Sequence, residues 1–147
     1  MGSVVKSRNS SNVKIVFVSL LMFFLLVQNC SSQLLKYVHV NVQNDLGENM
    51  DLKMHCKSKD DLIGERWVHY KEDFTWQFKR NVLGTTLYWC SMTWYDSSVG
   101  HWIVGSFEIY NAQKDVNNCG HHCDWLVRKD GLYHHLLPRG WVRIYKW

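Results

Sequence analysis

Val38, Val40 and Val42 alternate with His39, Asn41 and Gln43. This two-residue apolar period predicts a β-strand with one buried face. Residues 44–49, NDLGEN, are turn formers. Beyond them Met50, Leu52, Met54 and Cys56 point one way and Asp51, Lys53, His55 and Lys57 the other, which predicts the second arm of a hairpin. Ser58 to Asp61 breaks the pattern, and Trp67 to Tyr70 reads as a short element. Phe74, Trp76 and Phe78 restore the period against Thr75, Gln77 and Lys79. Thr85 to Tyr95 is bulky on both alternating sets, with Leu87 and Trp89 opposite Tyr88, Cys90, Met92 and Trp94, as a central strand would be. A loop at 96–100 leads to a strand from Trp102 to Tyr110 with Phe107 and Ile109 inward. Asn111 to Gly120 is polar and irregular, the longest exposed connection. Cys123, Trp125 and Val127 then alternate, Lys129-Asp130-Gly131 supplies a tight turn, and Leu132-Tyr133 begins the return. After a turn at 137–140 the last strand sets Val142 and Ile144 inward against Arg143 and Tyr145.

Seven or eight short strands result, with no sustained 3.6-residue period after residue 32 and no internal repeat. The fold class is therefore all-β, a sandwich or a small barrel.

The N-terminus has a different character. Lys6, Arg8 and Lys14 precede the apolar run from Ile15 to Val27, and Cys30-Ser31-Ser32 follows with small residues. This is signal-peptide order, with cleavage expected near Ser32. The run is short of the roughly 20 residues that cross a bilayer and no second apolar run of membrane length follows it, so no membrane insertion of the mature chain is expected. The expected organisation is residues 1–32 as a cleaved leader and 33–147 as one domain. Loss of the leader lowers the Lys and Arg count from 17 to 14 against 13 acidic residues. No concentrated basic surface remains to hold nucleic acid.

Four cysteines stay in the mature part: Cys56, Cys90, Cys119 and Cys123. In an oxidising compartment they predict two disulfides. All three pairings are formally open. Cys119 with Cys123 is disfavoured because so small a loop restricts the unfolded chain least, and two long-range bonds clamping the β layers are expected instead. Zinc is not expected, since Cys56 and Cys90 are isolated, the histidines at 121–122 and 134–135 abut, and neighbours on a strand face opposite ways. No cofactor is implied. Neither a nucleophile elbow nor a zinc-protease helix motif occurs, and the pairs Asp60-Asp61 and Glu72-Asp73 sit beside lysines in turns, so no catalytic residues are expected. No N-glycosylation acceptor occurs after residue 32. All eight tryptophans lie in the mature part, most of them expected in the core.

In order along the chain, VHVNVQNDL (38–46), LKMHCKSKDDLIG (52–64), FTWQF (74–78), GTTLYWCSMTW (84–94), FEIY (107–110) and CDWLVRKDGLY (123–133) resemble the plant self-incompatibility protein family, the stigma S-proteins and their homologues. The resemblance implies a secreted, disulfide-bonded, mainly β sandwich without catalytic residues, with the four cysteines at the family's positions. It further implies an extracellular signalling ligand, expected as a monomer, that binds a plasma-membrane receptor ectodomain. The family's polar recognition loop corresponds to Asn111 to Asn118. Asn111, Gln113, Lys114 and Asp115 are thus the candidate partner contacts. The alternative is a secreted defence or carbohydrate-binding module using Trp102, Trp141 or Trp147 as stacking platforms.

Overall fold

The computed structural model describes residues 14–25 and 37–147. Residues 14–25 form a helix, α1, whose apolar side chains are exposed. Among the described residues no helix is long and apolar enough to cross a membrane. Lys6, Arg8, Cys30 and the expected cleavage point near Ser32 lie outside the described residues.

From residue 37 the described chain runs β1 (Tyr37–Asn44), β2 (Leu52–Lys57), β3 (Leu62–Val68), β4 (Asp73–Lys79), β5 (Leu87–Asp96), β6 (His101–Asn111), α2 (Ala112–Asn118), β7 (His122–Arg128), β8 (Gly131–Leu136) and β9 (Gly140–Tyr145). The strands form a five-stranded sheet, β4-β1-β7-β8-β9, and a four-stranded sheet, β3-β2-β5-β6. This is the expected all-β sandwich. It has nine strands rather than seven or eight because β3 is an edge strand whose only buried residue is Val68, so alternation is absent there. One pair, β1 with β7, is parallel; the others are antiparallel.

The expected hairpin between the first two strands does not form. β1 pairs with β4 and β7, whereas β2 pairs with β3 and β5 in the other layer. Asn44 is the reason the chain can leave its sheet there. It is fully buried, and its Nδ2 donates to Met50 O at 2.7 Å and Val68 O at 2.8 Å, while Oδ1 accepts from Leu46 N at 2.9 Å. One amide thus ties together three backbone groups, two in the crossover and one at the end of β3. Next to it, Asp45 takes Lys71 and Arg128, the latter at 2.8 Å. Partial burial would raise the Asp45 carboxyl, but the hydrogen bonds and charges of Lys71 and Arg128 hold it below its ordinary value.

The alternating residues of both sheets meet in one core. Val38, Val40, Val42, Trp76, Phe78, Trp125 and Leu132 face Leu52, Met54, Tyr88, Met92, Trp94, Phe107 and Ile109. A bulge ties the layers further. Tyr88 pairs with Tyr110 but Trp89 with Glu108, leaving Ile109 as the extra residue of β6. Carbonyls freed there accept across the sandwich, Ile109 O from Trp125 Nε1 at 2.9 Å and Glu108 O from the Tyr145 hydroxyl at 3.1 Å.

A second register shift overturns the expected facing of the last strand. Leu132 pairs with Tyr145 but Tyr133 with Arg143, so the parity of β9 changes between Arg143 and Tyr145. Tyr145 turns inward against Phe107 at 5.2 Å, and Ile144 is exposed. Gly131 permits this, because at its φ of +145° a Cβ would lie 2.0 Å from Tyr145 O.

The disulfides also depart from expectation: Cys56 bonds Cys90, and Cys119 bonds Cys123. Cys56 lies directly opposite Cys90 in the β2–β5 ladder, with 4.1 Å between their Cα atoms. Cys119 caps α2, and the turn at Gly120 and His121 brings Cys123 back to 5.0 Å. Native geometry, not loop entropy, selects the pairing. Neither bond spans the two layers, so the expected covalent clamp is replaced by the Trp125 and Tyr145 hydrogen bonds.

Candidate recognition surface

The Asn111 to Gly120 segment is not irregular; residues 112–118 form α2. Polar composition hid it, since only Ala112 and Asp115 of the helix are buried and seven residues carry too little apolar periodicity to read. Asn111 is its N-cap, accepting from Gln113 N at 3.0 Å. Asp115 points inward and accepts from Asn111 N at 2.7 Å and from Asn118 Nδ2 at 3.4 Å. Burial raises its carboxyl above the ordinary value against those hydrogen bonds. Gln113 and Lys114 face solvent, with Lys114 Nζ 2.8 Å from Glu108. Of the four candidate contacts, then, two build the helix and two are displayed by it.

The outer face of the four-stranded sheet carries a second surface. Trp67, Lys53, Thr93 and Val104 form one cross-strand row, with Tyr95 opposite Trp102 in the next. Trp67, Tyr95 and Trp102 are 51%, 43% and 56% exposed and border a hollow of about 200 Å³. A larger crevice of about 890 Å³ opens where the 58–61 turn meets β4 and the start of β5. Asp61 lies in it, accepting from the Tyr88 hydroxyl at 2.9 Å, and burial first, then that bond, pushes the Tyr88 phenol up to about 12.

Other tryptophans divide between wall and core. Trp141 is 47% exposed, edge-on to His135 at 5.2 Å. Trp147 is not a free platform: it packs edge-on to Trp94 and Phe107 and donates to Arg128 O at 2.7 Å. His134 faces inward, stacked on Trp125 at 4.2 Å, near Cys119 and Cys123. Since those two sulfurs are bonded to each other, the trio offers a metal only the imidazole.

Residues 39–147 match the family model of plant self-incompatibility protein S1. The chain belongs to that family. S-protein homolog 2 of Arabidopsis thaliana is 38% identical over 96 residues, covering 63% of this chain and 56% of that protein. S-protein homolog 24 of the same plant is 39% identical over 94 residues, with 64% and 57% covered. The chain thus spans little more than half the length of these two. S-protein homolog 18 is 30% identical over 122 residues, 82% of this chain and 85% of that protein. A solved self-incompatibility protein homologue, from a widespread family of small, highly stable, secreted plant proteins, superposes with a TM-score of 0.58 at 21% identity, covering 77% of this chain and 96% of its own. That likeness shows the fold. The chain is secreted, as this family is, and its two disulfides fit an oxidising exterior.

The S-protein fold buries His134 at 3% exposure, and its Nε2 finds no hydrogen-bond partner among the described residues. Burial, with a smaller push from His135, lowers its pKa to about 4. The unfolded imidazole takes up its proton near 6.5, so stability is complete above that pH and is lost as pH falls toward the folded value. Between pH 6.5 and 5.5 this group is expected to remove about 1 kcal/mol. Urea titrations at both pH values check it: His134→Phe should flatten the difference, and an equal slope in the variant would refute the assignment.

Proposed function

We propose that this S-protein homologue acts outside the cell as a monomeric ligand for a plasma-membrane receptor ectodomain, by binding and without turnover. One observation carries the reading. α2 is held from beneath by Asn111, Asp115 and Cys119, so Gln113 and Lys114 stand at fixed positions and lose little freedom when a partner closes on them. A few such preorganised contacts supply most of the affinity in protein interfaces.

Labelled, disulfide-intact protein is expected to bind plant protoplasts saturably, to be displaced by unlabelled protein, and to lose its sites after surface proteolysis. Gln113→Ala with Lys114→Glu should weaken binding about tenfold or more. Folding should barely change, because Lys114–Glu108 is an exposed ion pair screened by solvent. Linear, non-saturable uptake would overturn the proposal.

A further inference from the structure

The hollow on the outer face of the four-stranded sheet lies at the opposite end of β6 from α2 and is built differently from the helix surface. Its walls are aromatic: Tyr95 and Trp102 meet at 62° with ring centroids 5.4 Å apart, and Trp67 closes the other side. Its polar lining comes from Asp51, Asn49 and Ser97. None of the three rings is needed by the core, since each is about half exposed.

The charges bordering it are paired within the protein. Asp51 Oδ1 lies 2.8 Å from His69 Nδ1, and Lys53 lies 3.0 Å from Glu65 while its ammonium stands 5.5 Å from the Trp67 ring centre. An ionic ligand would have to displace a partner already in place. A neutral ligand with apolar faces and hydroxyl edges would not: its C–H faces would lie on the indoles, and its hydroxyls would meet the carboxylate, amide and hydroxyl of the lining. The volume of about 200 Å³ is below that of pockets for drug-sized molecules and suits a single ring.

We infer that the hollow between Trp67, Tyr95 and Trp102 binds a neutral pyranose unit of a glycan, with Asp51, Asn49 and Ser97 reading its hydroxyls. The site is independent of the receptor contact proposed at α2. Either can fail without the other.

The test uses the disulfide-intact protein on an array of neutral cell-wall oligosaccharides, N-glycan glycopeptides and sulfated or uronic-acid glycans. Selective retention of neutral structures is expected, with a change in tryptophan fluorescence on titration of the best oligosaccharide. The wall and glycopeptide arms tell which source carries the sugar. Trp102→Ala and Trp67→Ala should each weaken binding about tenfold or more. Trp141→Ala, an exposed tryptophan on the other sheet, should leave it unchanged. Circular dichroism of each variant confirms folding, and Trp102→Tyr, which keeps a stacking ring, should retain part of the affinity. No retention of any neutral glycan, retention of acidic glycans alone, or equal binding by the folded Trp67 and Trp102 variants would overturn the inference.

Discussion

Replacing Cys56 and Cys90 together by alanine is expected to lower the unfolding free energy by about 4 kcal/mol, and replacing Cys119 and Cys123 by only about 2. The first bond closes a loop over a sequence separation of 34, the second over 4. A longer closed loop removes more freedom from the unfolded chain. Guanidinium titrations of the two double variants, with slopes compared to confirm two-state behaviour, measure the difference directly. Equal losses, or the larger loss at Cys119 and Cys123, would show that local geometry rather than chain entropy governs these bonds. Because the sheets are joined by side chains and not by sulfur, both variants should retain the sandwich at neutral pH.

Asn44→Ala is expected to cost about 3 kcal/mol, large for one polar side chain. The amide bonds Leu46 N, Met50 O and Val68 O at once from a fully buried side chain, and alanine would remove all three bonds together. Asn44→Asp tests which end matters. It retains an acceptor for Leu46 N but sets a carboxylate against two carbonyls, so its loss should match or exceed that of alanine at neutral pH. A loss below about 1 kcal/mol in the alanine variant would mean the 44–50 crossover is held by something else, with the Asp45 pairs to Lys71 and Arg128 the next to remove.

The strands that bury one face, β1, β2, β4 and β5, and the Cys123, Trp125 and Val127 set of β7, were legible in the sequence because a period of two is a direct record of burial. What failed to show had a common cause: it depended on a partner distant in sequence. β3 takes its place as an edge of β2 without burying a face, and the facing of β9 follows from a shift against β8. Likewise Asn44 reads as an ordinary turn former until Val68 is brought beside it. The candidate contacts were legible as a polar stretch. Only the fold separates Asn111 and Asp115, which look inward, from Gln113 and Lys114, which do not. Trp102 was open to recognition by residue type alone, whereas its company with Trp67 and Tyr95 arises from three different strands.

The Cys119–Cys123 link has a bearing on how the protein matures. Its two thiols are only 4 positions apart in sequence, so they meet often even in a chain whose sheets are still assembling and can oxidise early. Once they have done so, Cys56 and Cys90 are left with a single choice of mate. A chain oxidised in that order would have few opportunities for mispairing and little call on an isomerase during export.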